Sequence, residues 1–510
     1  MSDIVKLMEA TSFIFVLLAL FGLFAWWRPF WSLRRTTAWL FLFVEIGTAA
    51  GFIYVLPGLG SIIFTSLTAY QVFNYARVIR NRMQEDYLRR STFKTGLLLC
   101  LAQILVAIIV GISYDGGHWT TAVAYTLAGL QLITALVVWS STQRHFRTTK
   151  TLQATTAFTD RELPSVSVLI PARNETDDLH ACLEALVASN YPKLEIIVLD
   201  DCSQNRHTPE VIRQFAQQGV RYIAGEVPSD NWLAKNFAYQ QLADAANGDL
   251  LLFCGVDLQL APGALRELVT TMLEKKKSMI SILPLNDRPR DIRTLLVQPM
   301  RYAWELSLPR RLFNRPPVLS TCWLIKADVL RSAGSFKATS RSILPESHFA
   351  RFTARNDGYS FLRSNMLVSS KPASEQQATT IRMRYPQLHR RPELVWLLSV
   401  TELLGLVAPV GLAIVAAISG LWLALVASTL AYLLLCLVFL EVTGVMYGRP
   451  LVVSVVMAPI AGLYDLILLH ISMYRYEFSE VQWKERNICL PIMRFDAPTS
   501  SPAASSVSQS

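Results

Sequence analysis

Three aspartates follow short apolar runs in the middle of the chain, at positions where they could contact a ligand. Asp200 and Asp201 come directly after Glu195 to Leu199, and Asp257 follows Leu250 to Cys254 after two residues. At the carboxyl ends of neighbouring parallel strands, such carboxylates would accept hydrogen bonds from a ligand or hold a cation against phosphates. Aspartates also commonly cap the helix that follows a strand, so this pattern alone leaves both interpretations open.

The elements that must position these aspartates are short strands alternating with helices. Apolar residues at helical spacing, such as Leu179, Leu183 and Leu186, follow the first strand. Repeated strand–helix units with buried strands predict an α/β domain with a mostly parallel sheet flanked by helices. The predicted strands are Val166 to Ile170, Glu195 to Leu199, Arg221 to Ile223 and Leu250 to Cys254, and the predicted helices are Thr176 to Ser189, Pro209 to Gln217 and Asn236 to Ala246.

The rest of the chain is too apolar for an ordinary soluble protein. It has 510 residues, of which 52% are hydrophobic and only 17% are charged. A helix needs about 20 predominantly apolar residues to cross a bilayer. Runs of suitable length lie at Met8 to Trp27, Ala38 to Val55, Ser61 to Val78, Thr95 to Ile112 and Trp119 to Trp139, and again at Val395 to Val415, Leu421 to Val442 and Leu451 to Tyr474.

These runs divide the chain into four parts. We predict about five transmembrane helices at 1–150, the α/β domain at 151–392, about three helices or interfacial segments at 393–475, and a largely disordered tail at 476–510. A secretory signal peptide is the competing interpretation of the first run, but no small-residue cleavage site follows it. The run containing Pro459 could be re-entrant or interfacial rather than spanning, which leaves open the side on which Trp483 to Arg486 lies.

The formal net charge of +10 comes largely from basic residues beside the membrane runs. This positive-inside distribution predicts an external N-terminus and a cytosolic α/β domain at the inner (plasma) membrane, and it accounts for the charge without a nucleic-acid partner. The seven cysteines form no CxxC pair, so neither a disulfide framework nor a zinc site is predicted. The clustered basic residues are Arg28, Arg34 and Arg35, then Arg77, Arg80, Arg82, Arg89, Arg90 and Lys94, then Arg144, Arg147 and Lys150.

Three segments in a fixed order resemble a known family. Val168 to Glu175 reads VLIPARNE, Leu199 to Asn205 reads LDDCSQN, and Asn231 to Asn236 reads NWLAKN. Together they resemble the inverting family 2 glycosyltransferases with the GT-A fold, and most of all the membrane-bound branch with carotenoid- and hopanoid-linked enzymes. The resemblance covers Ser165 to Arg391. It implies transfer of a sugar from a nucleotide-diphosphate donor to a lipid or membrane-proximal hydroxyl with inversion.

The resemblance also implies which residues bind the donor. Asp201 matches the carboxylate placed against the base, with Asp200 behind it, and Lys235 would balance the diphosphate as a point charge. Trp232 could equally be a core aromatic residue. The other donor-binding residues that it implies are Pro171, Ala172, Arg173 and Glu175 in the first loop, and Arg382 and Arg384 in an Arg-rich segment before the second membrane region.

Two motifs depart from the family pattern. Where relatives have Asp-x-Asp, this chain has Gly255, Val256 and Asp257, so a divalent cation, Mg²⁺ or Mn²⁺, would be held by Asp257 with phosphates and water. Where relatives have a Glu-Asp pair whose Asp is the general base, the chain has Glu346 and Ser347. An inverting transfer needs a proton acceptor, and Glu346 or His348 would then supply it.

These departures keep two other classes of function open. A catalytically silent nucleotide-sugar-binding or scaffolding protein would retain the donor motifs without the base. A transporter with a cytosolic regulatory domain would explain acids in apolar surroundings, namely Glu45, Glu402, Glu441 and Asp465. We also predict that one stretch of the domain lies in the headgroup layer, where it could admit a lipid. This stretch contains Arg301, Trp304, Arg310 and Arg311.

Overall fold

The structure is a computed structural model of the chain. It describes residues 28–55, 59–80, 85–114, 119–149, 151, 158–175, 177–229, 231–286, 291–310, 313–369 and 373–489. The first predicted membrane run and the end of the predicted tail lie outside the described residues.

Long helices form the described part of the N-terminal region. They contain no proline and are dominated by apolar residues, so nothing interrupts their backbone hydrogen bonding. Within the last of them, Thr121–Thr148 is long and apolar enough to cross a membrane. The helices are α1 (Arg34–Val55), α2 (Leu59–Arg80), α3 (Glu85–Tyr114) and α4 (Trp119–Thr148), and a 3₁₀ turn, Arg28–Leu33, precedes α1.

A single curved sheet forms the centre of the α/β domain. Its strands lie in the order β3-β2-β1-β4-β7-β6-β8-β5. The pairs β1–β2, β1–β4, β2–β3 and β6–β8 are parallel, whereas β4–β7, β6–β7 and β5–β8 are antiparallel, so the sheet is mixed. The strands are β1 (Val166–Ala172), β2 (Leu194–Asp200), β3 (Val220–Ala224), β4 (Leu250–Cys254), β5 (Leu258–Leu260), β6 (Met279–Asn286), β7 (Cys322–Lys326) and β8 (Tyr359–Ser369).

Helices cover both faces of this sheet. Val168 and Ile170 of β1 pack into one buried cluster, while Leu169 packs into a second cluster on the opposite face with Phe253 and Trp323. A strand buried on both faces explains the continuous apolar run at the start of the domain. The helices are α5 (Asp177–Val187), α6 (His207–Gln214), α7 (Ala234–Ala245), α8 (Ala264–Glu274), α9 (Ile292–Leu306), α10 (Ala327–Ser332) and α11 (Pro345–Ala354).

The C-terminal part begins with a helix on the domain and continues into apolar helices. The candidate spans are Pro392–Ile418, Trp422–Tyr447 and Val455–Phe478, which together with the one in α4 makes four among the described residues. The elements are α12 (Ala373–Gln387), α13 (Pro392–Glu402), a π-helical turn (Leu403–Val407), α14 (Ala408–Ile418), α15 (Trp422–Tyr447), α16 (Val453–Phe478), β9 (Gln482–Trp483) and β10 (Arg486–Asn487).

Helix α16 lies against the α/β domain over much of its length. Its Asp465 accepts a hydrogen bond of 2.9 Å from Trp304 Nε1 on α9. Its Ser472 Oγ accepts one of 3.1 Å from the backbone N–H of Tyr385 on α12, and Tyr476 OH donates to the Arg382 carbonyl at 2.8 Å. The segment that follows α16 is thereby delivered to the domain.

These contacts correct the prediction of an interfacial stretch around Trp304. This side chain is 1% exposed and lies beneath α16, and Arg310 donates to the buried Glu305 carboxylate at 3.2 Å. The stretch therefore joins the domain to the C-terminal helices, and Arg311 lies outside the described residues.

Candidate functional site

A cavity of about 160 Å³ lies at the carboxyl ends of β1 and β4. Strand β1 contributes Pro171, the loop after it contributes Glu175, and the loop after β4 contributes Asp257. Such a position is where open α/β sheets bind ligands. The other charged residues that line the cavity are Lys235, Arg301, Glu375, Arg382 and Lys484.

The loop after β1 is tied to the loop after β2. Arg173 is 5% exposed, and its Nη1 donates to the carbonyls of Asp201 at 2.8 Å and Cys202 at 2.6 Å. The backbone N–H of Glu175 donates to Thr208 Oγ1 at 2.8 Å, which orients Glu175 towards the cavity. Arg173 therefore holds the two loops together, while Ala172 is buried behind them at the end of β1.

The two aspartates after β2 have different roles in the structure. Asp200 Oδ1 accepts a hydrogen bond of 3.0 Å from the backbone N–H of Ser203, so this carboxylate stabilises the turn. Asp201 is 3% exposed, and both its carboxylate oxygens accept hydrogen bonds of 2.8 Å from Arg486 Nη1. Burial raises the pKa of Asp201 above its ordinary value, while Arg486 and Arg173 act in the opposite direction.

The partner of Asp201 belongs to a hairpin near the C-terminal end of the described chain, formed by β9 and β10. The turn residues Lys484 and Glu485 both have positive φ, 44° and 66°, as in a two-residue hairpin turn. Lys484 Nζ donates to the Arg173 carbonyl at 2.8 Å and pairs with the Glu175 carboxylate. The hairpin is thus anchored on the two loops that the sequence identified as the donor site.

The hairpin also reduces the space of the cavity. Trp483, Lys484 and Ile488 line it together with the strand-end residues. Pockets that bury small ligands usually enclose about 300–1,000 Å³, which is more than the 160 Å³ found here. A nucleotide-sized ligand would therefore have to displace part of the hairpin.

The segment Asn231 to Asn236 places only part of its predicted residues at the cavity. Lys235, in the first turn of α7, lines the cavity, and its Nζ lies 5.3 Å from the centre of the Tyr239 ring. Trp232 is not among the lining residues and packs against Phe237, with ring centres 5.6 Å apart, on the second apolar cluster. Trp232 is half-buried at the edge of this cluster and does not line the cavity.

The two arginines predicted to bind the donor from the segment before the second membrane region lie in different surroundings. Arg382 lines the cavity, and burial lowers its pKa to about 10. Arg384 is 1% exposed, stacks over Trp304 at 3.9 Å and donates through Nε to Asp465 at 3.0 Å. Arg384 therefore does not line the cavity, and its side chain joins α12 to α16.

The metal motif contributes one carboxylate. No group of three or more His, Cys, Asp or Glu side chains that could hold a metal occurs among the residues the structure describes. Asp257 lines the cavity, and its Oδ1 lies 2.6 Å from the point where a Cβ on Gly255 would be. The oxygen donor suits Mg²⁺ or Mn²⁺, provided that phosphates and water complete the coordination shell.

The two predicted proton acceptors lie on α11. Glu346 is 1% exposed, its Oε2 has no hydrogen-bond partner among the described residues, and burial raises its pKa despite the nearby Lys235. Leu344, just before α11, lines the cavity, although Glu346 itself does not. His348 Nε2 lies 3.0 Å from the Ala333 carbonyl, which leaves Nδ1 to accept a proton in the neutral ring.

Sequence reasoning did not identify Arg301, Trp483, Lys484 and Arg486 as site residues. The basic and aromatic residues of Trp483 to Arg486 could have indicated the last three. The sequence leaves open the side of the membrane on which this segment lies, so it does not place these residues at the donor site. The contact between Asp201 and Arg486 joins residues far apart in the chain and depends on the path of α16.

The mixed sheet with acids at its strand ends defines the domain as a GT-A-like α/β fold. Residues 167–333 match the sequence model of the family described as Glycosyl transferase family 2. This match agrees with the family that the three motifs resemble, and it covers residues 167–333.

Curated relatives match the chain over a short part of their length. "Glycosyltransferase AglE" of Haloferax volcanii is 33% identical over 99 residues, 19% of this chain and 31% of that protein. "4,4'-diaponeurosporenoate glycosyltransferase" of Staphylococcus haemolyticus is 33% identical over 96 residues, 19% of this chain and 25% of that protein. The chain thus spans less than a third of these relatives.

Among solved structures, a mannosyltransferase from Pyrobaculum calidifontis in complex with GDP-Man and Mn²⁺ is similar to 68% of this chain. The similarity covers 99% of that structure, with 20% identity and a TM-score of 0.41. Glucosyl-3-phosphoglycerate synthase from Mycobacterium tuberculosis, in complex with Mn²⁺, UDP and glucosyl-3-phosphoglycerate, is similar to 47% of this chain. The similarity covers 88% of that structure, with 16% identity and a TM-score of 0.31.

Proposed function

We propose that the protein is a membrane-bound glycosyltransferase that moves a sugar from a nucleoside-diphosphate donor to a lipid or membrane-proximal hydroxyl with inversion. The carrying observation is that Glu175, Lys235, Asp257 and Arg382 meet at one cavity with the hairpin that covers Asp201. Apolar helices on both sides of the domain in sequence support an acceptor that is reached from the membrane.

In the proposed reaction, the acceptor hydroxyl attacks the anomeric carbon from the face opposite the diphosphate. A bond from the acceptor oxygen to this carbon forms while the bond to the diphosphate oxygen breaks, and the hydroxyl proton passes to Glu346 or His348. Lys235 and Arg382 favour departure of the anionic nucleoside diphosphate. Raising the pKa of Glu346 by burial makes this carboxylate a better proton acceptor than an exposed one.

A divalent cation fits this site only together with the donor. Asp257 would hold Mg²⁺ or Mn²⁺, and the cation would neutralise charge on the phosphates.

The single-carboxylate metal motif favours a second candidate, a catalytically silent nucleotide-sugar-binding protein. To separate the two, purified protein in lipid nanodiscs is incubated with UDP- and GDP-sugars, Mn²⁺ or Mg²⁺ and extracted membrane lipids. We expect release of nucleoside diphosphate and a glycosylated lipid from the wild type and not from Asp201→Ala. Donor binding without release across the panel would establish the silent protein instead.

A further inference from the structure

A second cavity of about 470 Å³ lies beside the donor cavity. The two cavities share Ser342 and Leu344 in their walls. Helix α11 contributes Ser347 and His348 to the second one, the end of α12 contributes residues 386–387, and the turn after α12 contributes His389. The hairpin does not line this cavity, so it does not reduce the space here as it does in the donor cavity.

The walls of the second cavity are basic. Its charged or titratable lining residues are Arg315, Arg341, His348, Arg351 and His389, and no Asp or Glu is among the described residues that line it. A wall of cations without acids attracts oxyanions.

The neighbouring acids do not cancel this charge. Glu305 accepts from Arg315 at 2.6 Å and from Arg310 at 3.2 Å, so one carboxylate is shared by two guanidinium groups. Arg351 makes no hydrogen bond or ion pair with any residue that the structure describes. Burial lowers the pKa of His389, and Arg315, Arg391 and Arg351 lower it further, as expected in a positive field.

Polar groups without partners also line this cavity. Ser347 Oγ and Gln387 Oε1 are buried and have no hydrogen-bond partner among the described residues. Buried polar atoms are nearly always hydrogen-bonded in folded proteins. Once these side chains turn towards the cavity, the Ser347 hydroxyl can donate to an oxyanion and the Gln387 oxygen can accept from a hydroxyl.

The position of the cavity indicates how such a ligand arrives. The wall residues Pro386, Gln387 and His389 lie just before Pro392, where the first candidate span after the α/β domain begins. Residues at the start of a membrane helix lie at the level of the lipid head groups. An amphiphile in the membrane could therefore place its head group in the cavity.

We propose that the second cavity binds the oxyanionic head group of the acceptor, so that the acceptor is an acidic amphiphile, with a phosphate or similar group held by Arg341 and Arg351. This proposal rests on the proposed function. Arginine suits such a group because its guanidinium can donate two parallel hydrogen bonds to it. The shared wall at Ser342 and Leu344 would let a hydroxyl of the bound head group reach the donor cavity beside Glu346.

The test uses the full chain in phosphatidylcholine nanodiscs, titrated with dihexanoyl phosphatidic acid. Arg351→Gln should weaken binding about tenfold, because it removes a charge-assisted hydrogen bond. Arg355→Gln is the matched control, since Arg355 is exposed at the end of the same helix and does not line the cavity. The control should bind as the wild type does, and dihexanoyl phosphatidylcholine should bind more weakly than phosphatidic acid to both.

Other outcomes overturn the proposal. Equal binding to Arg351→Gln and Arg355→Gln would show that the cavity is not the site. Inorganic phosphate binding as tightly as phosphatidic acid would show that the anion is a soluble phosphate rather than an amphiphile. UDP and GDP are titrated in parallel with Mn²⁺. Absence of nucleotide binding in the wild type would contradict the proposed function. Unchanged nucleotide binding in Arg351→Gln would show that this variant affects only the second cavity.

Discussion

The two cavities of the domain differ in whether their charged side chains already have partners of opposite charge. At the donor cavity, the acids Asp201 and Glu175 already have cationic partners in the hairpin, Arg486 and Lys484. At the second cavity, Arg351 lines a wall that contains no acid among its described residues. We therefore expect the first cavity to exchange ion pairs when a large ligand binds, and we expect the second to accept an oxyanion without such an exchange.

The two cavities also differ in how the chain builds them. The donor cavity lies at the parallel strands β1 and β4, and Glu175 and Asp257 lie in the loops that follow these strands. The second cavity combines α11 with segments beside the membrane helices, so its residues come from distant parts of the chain. If the comparison is correct, changes at the two cavities should affect different steps of the reaction.

The largest effect is expected for Glu346→Gln on α11. This change keeps the shape of the side chain and removes the proton acceptor, so the rate of sugar transfer should fall about a hundredfold to ten-thousandfold while donor affinity stays constant. Because the pKa of Glu346 is raised, the base form is lost as the pH falls through that raised value. Transfer by the wild type should then decline at a pH above the ordinary glutamate pKa.

Steady-state rates of Glu346→Gln and His348→Asn across pH check this assignment. Transfer by Glu346→Gln at the parental rate, with loss in His348→Asn, would assign the base to the histidine.

The next effect concerns nucleotide affinity at the strand ends. Asp201→Ala removes the buried carboxylate that would bind the base, so affinity for nucleoside diphosphate should fall about tenfold to a hundredfold, the value of hydrogen bonds to a charged group. Asp200→Ala is the matched comparison, because its carboxylate contacts the Ser203 backbone rather than the cavity. Isothermal titration calorimetry measures the nucleotide affinity of both variants, and equal losses of affinity would show that the Asp201 carboxylate does not bind the nucleotide.

A smaller effect is expected at the metal motif. Asp257→Asn should remove the part of nucleotide binding that depends on Mn²⁺, leaving weaker metal-independent binding. Gly255→Asp restores a second carboxylate, although the new Cβ would force Asp257 to turn away because their atoms would be 2.6 Å apart. Nucleotide titrations with and without Mn²⁺ should show a stronger metal requirement in Gly255→Asp, and an unchanged requirement in both variants would exclude this cation site.

The smallest effect is expected at the hairpin and has the opposite sign. Arg486→Gln removes one ion pair that a donor must displace, and Arg486 is 21% exposed. A partly exposed pair contributes at most about 1 kcal/mol, so nucleoside diphosphate should bind up to about fivefold more tightly. Arg475→Gln, an exposed arginine in the last turn of α16, is the control. Weaker nucleotide binding in Arg486→Gln would mean that Arg486 itself contacts the donor.

Local sequence patterns were sufficient to predict the first half of the sheet. The strands β1 to β4 and the helices between them lie within a few residues of their predicted positions, because each carries its own apolar periodicity and turn residues. The later half is mixed rather than parallel: β7 pairs antiparallel with β4 and β6. Strand direction is set by connections over long stretches of chain, which periodicity does not encode.

The limits of sequence reasoning are clearest for the arginines. Arg382 and Arg384 look equivalent in the sequence. Residues two positions apart on a helix face different sides, however, and Asp465 on α16 pairs with Arg384. Arg486 is the reverse case, since the sequence left open the side of the membrane on which it lies, whereas α16 brings it to Asp201. In both cases a partner far away in the chain decides the role.

We expect nucleoside diphosphate to bind at the ends of β1 and β2 and to displace the hairpin. Hydrogen exchange measured by mass spectrometry, on the full chain in nanodiscs with and without UDP or GDP and Mn²⁺, tests this directly. We predict slower exchange in residues 172–175 and 200–203 when nucleotide binds, together with faster exchange in residues 482–489. Bound nucleotide that leaves all three segments unchanged would contradict the account.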